Sequence, residues 1–186
     1  RTVLIAPDSF KGSLTSVEVA EALAEGWRAA RPDDTILLCP LADGGEGTLE
    51  AIEAAGGWET RTTRVHDPLR RELEARWLMS ADGSRAVVEM AQASGLSLVA
   101  ADERDPIGAT SVGTGELIRA AAEAGVETIV LGIGGSATTD GGSGLLYALL
   151  AGDRHLDRID LEVACDVANP LLGPNGAAAI YGPQKG

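Results

Sequence analysis

The chain of 186 residues is 45% apolar and 3% aromatic, carries two cysteines and has a formal net charge of −13. That length supports one sizeable core or two small domains. The acidic balance excludes a nucleic-acid binder, because counterion release needs clustered Lys and Arg and the 15 present form no run. No stretch approaches the roughly 18 apolar residues of a membrane span, and the N-terminal "TVLIA" has the pattern of a buried strand instead of a signal peptide. A cytoplasmic location is the expectation. Cys39 and Cys165 match no metal or disulfide framework and are expected to pack as small apolar residues.

In chain order, "TVLIA" reads as a strand, followed by a polar loop and a helix with Ala20, Leu23, Ala24 and Trp27 on its inward face. Thr15 and Glu18 form a capping box before this helix, and Pro32 lies beyond its end. The second unit repeats the plan: a strand to about Cys39, a loop, and a helix with Leu49 and Ile52 inward that stops at Gly56 and Gly57. Two such units predict a parallel sheet flanked by helices, Rossmann- or flavodoxin-like. From Thr60 to Met90 partial alternation, with turns at Asp67–Pro68 and Asp82–Gly83, predicts an antiparallel meander in a second α/β subdomain. The α/β pattern then returns: a helix with Leu117, Ile118 and Ala121 on one face, a buried strand in "ETIVLGIGG", a helix from about Gly142 and a last strand in "DLEVACD". The expected division is 1–59, the first part of a discontinuous α/β domain; 60–100, the meander; and 101–186, α/β segments carrying a glycine-rich loop.

Four acidic or glycine-rich loops follow predicted strands, and the loops at the C-terminal ends of parallel strands converge on one edge, where open α/β proteins bind ligands. In "GIGGSATTDGGSG" the glycines permit close approach to an anion, and a helix N-terminus follows; a turn that merely needs glycine is the alternative. A G-x-G-x-x-G string is absent, since Ala137 stands at its last position. "PDSFKGS" offers Asp8, Ser9 and Lys11 to a polar anion but lacks Walker spacing, and Lys11 reads equally as a solvated charge. In "ADGGEG", Asp43 and Glu46 fit either a functional pair or a helix N-cap pair, although capping does not explain the two glycines between them. In "CDVANP", Asp166 ends an apolar strand, as a general base or metal ligand would, or as a turn carboxylate would. His66 and His155 have no spacing partner and read as surface residues, and Trp27, Trp58 and Trp77 as packing.

Together these segments resemble the bacterial glycerate kinase family. The matching stretches are "IAPDSFKGSL", "LADGGEGT", "EMAQASGL", "GTGELI", "GIGGSATTDGGSG" and "CDVANPLLGPNGAAAIYGPQKG", in the family's order. The resemblance implies a two-domain α/β kinase that uses ATP and Mg²⁺ to phosphorylate D-glycerate, with 2-phosphoglycerate favoured over 3-phosphoglycerate. Carried onto this sequence, it places Asp166, Lys11 and Asp43 in catalysis, with Asp166 deprotonating the glycerate hydroxyl. Asp8, Ser9, Glu46, Gly134, Gly135, Ser136 and Asp140 would contact substrate, and Gly141 and Gly142 the nucleotide; no metal ligand is assigned. Homo-oligomerisation is left open. Family members continue into a C-terminal half beyond "GPQKG", and "LAGDRHLDRID" is shorter than their equivalent. A non-catalytic module holding a small hydroxy acid is the alternative; a Rossmann-type dehydrogenase is disfavoured by the glycine spacing.

Overall fold

Two sheets organise the chain in a computed structural model that describes residues 1–151 and 158–186; His155 lies outside the described residues. β1 (Thr2–Ile5) and β2 (Thr35–Leu38) pair in parallel, with Thr2 opposite Thr35 and Ile5 opposite Leu38. Helix α1 (Ser16–Ala30) makes the crossover between them. Its predicted capping box is present: the Glu18 amide donates to Thr15 Oγ1 at 3.2 Å and the Thr15 amide to Glu18 Oε2 at 2.8 Å. Ala20 and Ala24 bury against Ile5, flanked by Val3 and Ile36. Leu23 and Trp27, expected inward, are 53% and 40% exposed. Two strands cannot cover so wide an apolar stripe, and Trp27 turns its indole N–H to Asp34 instead, at 3.1 Å.

The second sheet has the order β3 (Trp58–His66), β4 (Glu72–Ser80), β5 (Arg85–Glu89), β6 (Thr128–Gly132), β7 (Asp160–Ala164). The first three strands are the predicted antiparallel meander, and β5, β6 and β7 run parallel. The meander is therefore continuous with the later α/β segments through the β5–β6 pairing. Asp67 shapes the β3–β4 turn, its Oδ1 accepting the Leu69 and Arg71 amides at 2.8 and 2.9 Å. Asp82 shapes the β4–β5 turn, where bonds from the Ser80 hydroxyl and from Ser84 lower its carboxyl to about 2.

Side-chain alternation along β5 sends Ala86 and Val88 to one face and Val87 to the other. On the first face Leu117, Ile118 and Ala121 of α4 (Val112–Glu123) pack against Val65, Trp77, Ile129 and Leu131. On the second, Leu49 of α2 (Thr48–Ala54) packs against Leu78 and Val87. At about 1.5–3 kcal/mol for each large aliphatic side chain fully buried, these contacts fix both helices to the sheet. Helices on both faces of a sheet whose β5–β7 half is parallel and whose other half is the antiparallel meander fit the predicted fold class. α3 (Ala91–Ser94), α5 (Ser143–Leu150) and α6 (Ala177–Tyr181) complete the set used below. Both cysteines are exposed, contrary to the expectation that they pack as small apolar residues; each lies just beyond a strand end, outside all three core clusters.

Candidate functional site

Gly132 ends β6 and Ala164 ends β7, and the two are register partners. The "ADGGEG" loop crosses these paired ends. A Cβ on Gly132 would fall 2.5 Å from the Gly44 carbonyl oxygen, one on Gly134 would fall 2.6 Å from Gly45 Cα, and one on Gly44 would fall 2.7 Å from the Ala164 oxygen. The Gly134 amide also donates to the Gly44 oxygen at 3.0 Å. The glycines thus serve backbone-to-backbone contact between two loops, a cause that neither loop's sequence reveals alone.

This contact gathers most of the predicted residues. Lys11 Nζ stands 3.6 Å from Asp43 Oδ2, while Asp43 Oδ1 accepts the Gly45 amide at 2.9 Å. Asp8 accepts the Ser9 amide at 2.6 Å, in the loop that also carries Lys11. Glu46 Cγ lies 3.4 Å from the place a Gly135 Cβ would take. Ser136 Oγ accepts from Lys185 Nζ at 2.7 Å, and the same ammonium donates to the Thr138 oxygen at 2.7 Å. Burial lowers the Lys185 pKa, partly offset by the negative charge of Asp140. The Gly135 and Ser136 amides donate to no acceptor among the described residues.

Asp140 stands apart from this group in what it does. Its Oδ2 accepts the Ser111 amide at 2.9 Å, the Ser111 hydroxyl at 2.7 Å and the Gly144 amide at 3.1 Å, and its Oδ1 accepts the Gly142 amide at 2.9 Å. Burial works to raise its pKa, but these donors from Ser111, Gly142 and Gly144 prevail and hold the carboxyl below its ordinary value. The carboxylate therefore occupies amides at the start of α5 that an external anion would use. Asp166 lies two residues beyond β7, exposed, with no hydrogen bond or ion pair among the described residues.

Neither Asp43 nor Glu46 caps α2. Its N-cap is Gly47, in a left-handed conformation with no side chain to offer. The cap comes from Glu89, whose Oε2 accepts the Leu49 amide at 3.0 Å. The sequence assigns no role to Glu89, the first residue of the matching stretch "EMAQASGL", or to Lys185. The available signal for Glu89 was an acid ending the apolar run "RAVVE", the same signal that singled out Asp166. Lys185 gave none beyond its place in "GPQKG".

Fold and loop placement define an α/β protein whose strand-end loops meet at one edge. The glycerate kinase family model matches residues 3–152 and 151–186. Glycerate 2-kinase of Escherichia coli K12 is 46% identical over 99% of this chain and 55% of that protein. Glycerate kinase of Bacillus subtilis 168 is 44% identical, again over 99% and 55%. The crystal structure of a Salmonella typhimurium LT2 protein assigned as glycerate kinase 2 superimposes with a TM-score of 0.85 at 45% identity, covering 100% of this chain and 57% of that one. The chain belongs to the glycerate kinase family, and it spans just over half the length of these relatives.

Proposed function

We propose that the protein containing this chain is an ATP-dependent glycerate kinase and that these loops form its acid-binding wall. The observation that carries the reading is the meeting of "ADGGEG" with "GIGGS" over the ends of β6 and β7, flanked by two ammonium groups, Lys11 and Lys185. Phosphoryl transfer asks mainly for positioning and charge neutralisation, which backbone amides and lysines supply. The open Gly135 and Ser136 amides, with Lys185 beside them, suit the carboxylate of a small hydroxy acid.

Asp166 is assigned as general base. Its carboxylate takes the hydroxyl proton of glycerate as that oxygen bonds to the γ-phosphorus of ATP and the bond to ADP breaks. Lys11, paired with Asp43 at 3.6 Å, offsets developing charge. For Mg²⁺, which binds through one or two carboxylates together with phosphate oxygens, Asp43 and Glu46 are the exposed carboxylates at the loop edge that fit. When bound, the ion neutralises phosphate charge. Among the described residues no group of three or more His, Cys, Asp or Glu side chains could hold an ion without such help.

The name of the Escherichia coli relative, glycerate 2-kinase, supports the 2-hydroxyl as acceptor. Calorimetric titration of the full-length protein with D-glycerate and with Mg-ATP tests the assignment. Binding of both supports it, whereas acid binding without nucleotide binding points to a non-catalytic module. Asp166→Asn is expected to lower kcat about 10²-fold with Tm unchanged; a loss of Tm with kcat preserved removes Asp166 from the chemistry.

A further inference from the structure

The most deeply buried acid among the described residues lies outside the set assigned above. Glu89, the last residue of β5, is 1% exposed. Its Oε2 accepts the Leu49 amide at 3.0 Å, and its Oε1 accepts from Gln92 Nε2 at 3.2 Å. Burial raises its pKa, while the donors from Leu49, Gln92 and Gly47 work the other way and the charge of Glu46 adds to the rise. An ionisable group is costly to bury, and a core position at a strand end is ordinarily filled by an apolar side chain. What Glu89 supplies in return is the first turn of α2, which Gly47 leaves without a side-chain cap.

We infer that Glu89 is a positioning residue that fixes the acidic loop 43–47, and with it Asp43 and Glu46, against the glycine-rich loop. Three observations converge. Glu89 reaches across 40 positions of sequence to accept the amide of Leu49, the second residue of α2 and two positions beyond this loop. The Met90 amide, next in the chain, donates to the Gly132 oxygen at 2.8 Å, so the segment that holds Glu89 is tied to the strand that opens the glycine-rich loop. Glu46, Gly47, Glu89 and Gln92 line one cavity of about 360 Å³, which puts Glu89 on the same wall as the acidic loop. Thr48 completes the joint by donating its hydroxyl to the Gly45 oxygen at 2.7 Å. One carboxylate thus sets the height of the loop over the strand ends.

The catalytic consequence rests on the kinase reading, and two readouts keep the failures apart. In the full-length protein, well below the melting temperature of each variant, Glu89→Ala is expected to lower kcat/KM for D-glycerate about 10²-fold, the scale of a small misplacement of reacting groups. Glu89→Gln, which keeps an acceptor for the Leu49 amide, restores most of it. Amide hydrogen exchange at 43–49 speeds up in Glu89→Ala while β5 and β6 keep their protection. Unchanged kcat/KM in Glu89→Ala with only a lower Tm overturns the inference, as does a Gln variant no better than Ala. If wild-type protein phosphorylates no hydroxy acid, the kinase reading fails, and the exchange experiment still decides: unaltered exchange at 43–49 in Glu89→Ala overturns the positioning role.

Discussion

Arg70 is the one non-glycine residue with positive φ among those described, at 65° in the β3–β4 turn, where its amide donates to the Asp67 oxygen at 3.0 Å. A left-handed conformation costs an L-residue roughly 1–2 kcal/mol, and glycine escapes that while adding disorder to the unfolded chain. Arg70→Gly is therefore expected to raise stability by about 0.5–1 kcal/mol in chemical denaturation. A loss of stability would place a favourable contact on the Arg70 side chain that outweighs the strain. Gly134 gives the opposite case. Its added methyl would meet Gly45 Cα at 2.6 Å, backbone that cannot swing away as a flexible side chain can. Gly134→Ala is expected to destabilise by about 1–3 kcal/mol, the range of overpacking, and to impair glycerate binding by parting the two loops. Calorimetric titration measures the second effect and thermal unfolding the first.

At the scale of elements, Asp140 joins the first turns of α4 and α5, and without it Ser111 and the α5 amides lose their common acceptor. Asp140→Ala is expected to cost roughly 2 kcal/mol. The folded protein holds this carboxyl below the ordinary value of 3.8, so its contribution is present above that value and is lost as pH falls through the lower, folded one. The stability gap between wild type and Asp140→Asn should accordingly narrow between pH 7 and pH 3, as read from Tm across that range. Signals of this kind divide by their reach along the chain. The α1 capping box was legible because Thr15 and Glu18 are three positions apart and answer each other locally. The same spacing in Asp43 and Glu46 suggested a second cap, yet the left-handed Gly47 shifts the helix start past them and the cap comes from a residue 40 positions away. Periodicity found α4 and the meander because each buries one face. It could not show that Gly44, Gly45, Gly132 and Gly134 exist for one another, since that requirement arises only when β6 and β7 bring their ends together.

Across the molecule, a five-stranded sheet with α2 on one face and α4 on the other delivers the loops after β6 and β7 to one edge, and the two-stranded unit adds the acidic loop after β2 and the loop that carries Lys11. The prediction from four separate loops was a shared cleft, and the chain order of strands was enough to make it. The order could not say which loop touches which, and that pairing leaves the Gly135 and Ser136 amides without an acceptor among the described residues, whereas amides at the start of α5 are taken by Asp140. In the proposed kinase, this edge presents glycerate for phosphorylation. Phosphorus NMR of the full-length protein mixed with Mg-ATP and D-glycerate tests it most directly. ADP is expected to form together with a new phosphomonoester signal matching 2-phosphoglycerate. ATP left intact with D-glycerate and with related hydroxy acids would contradict it.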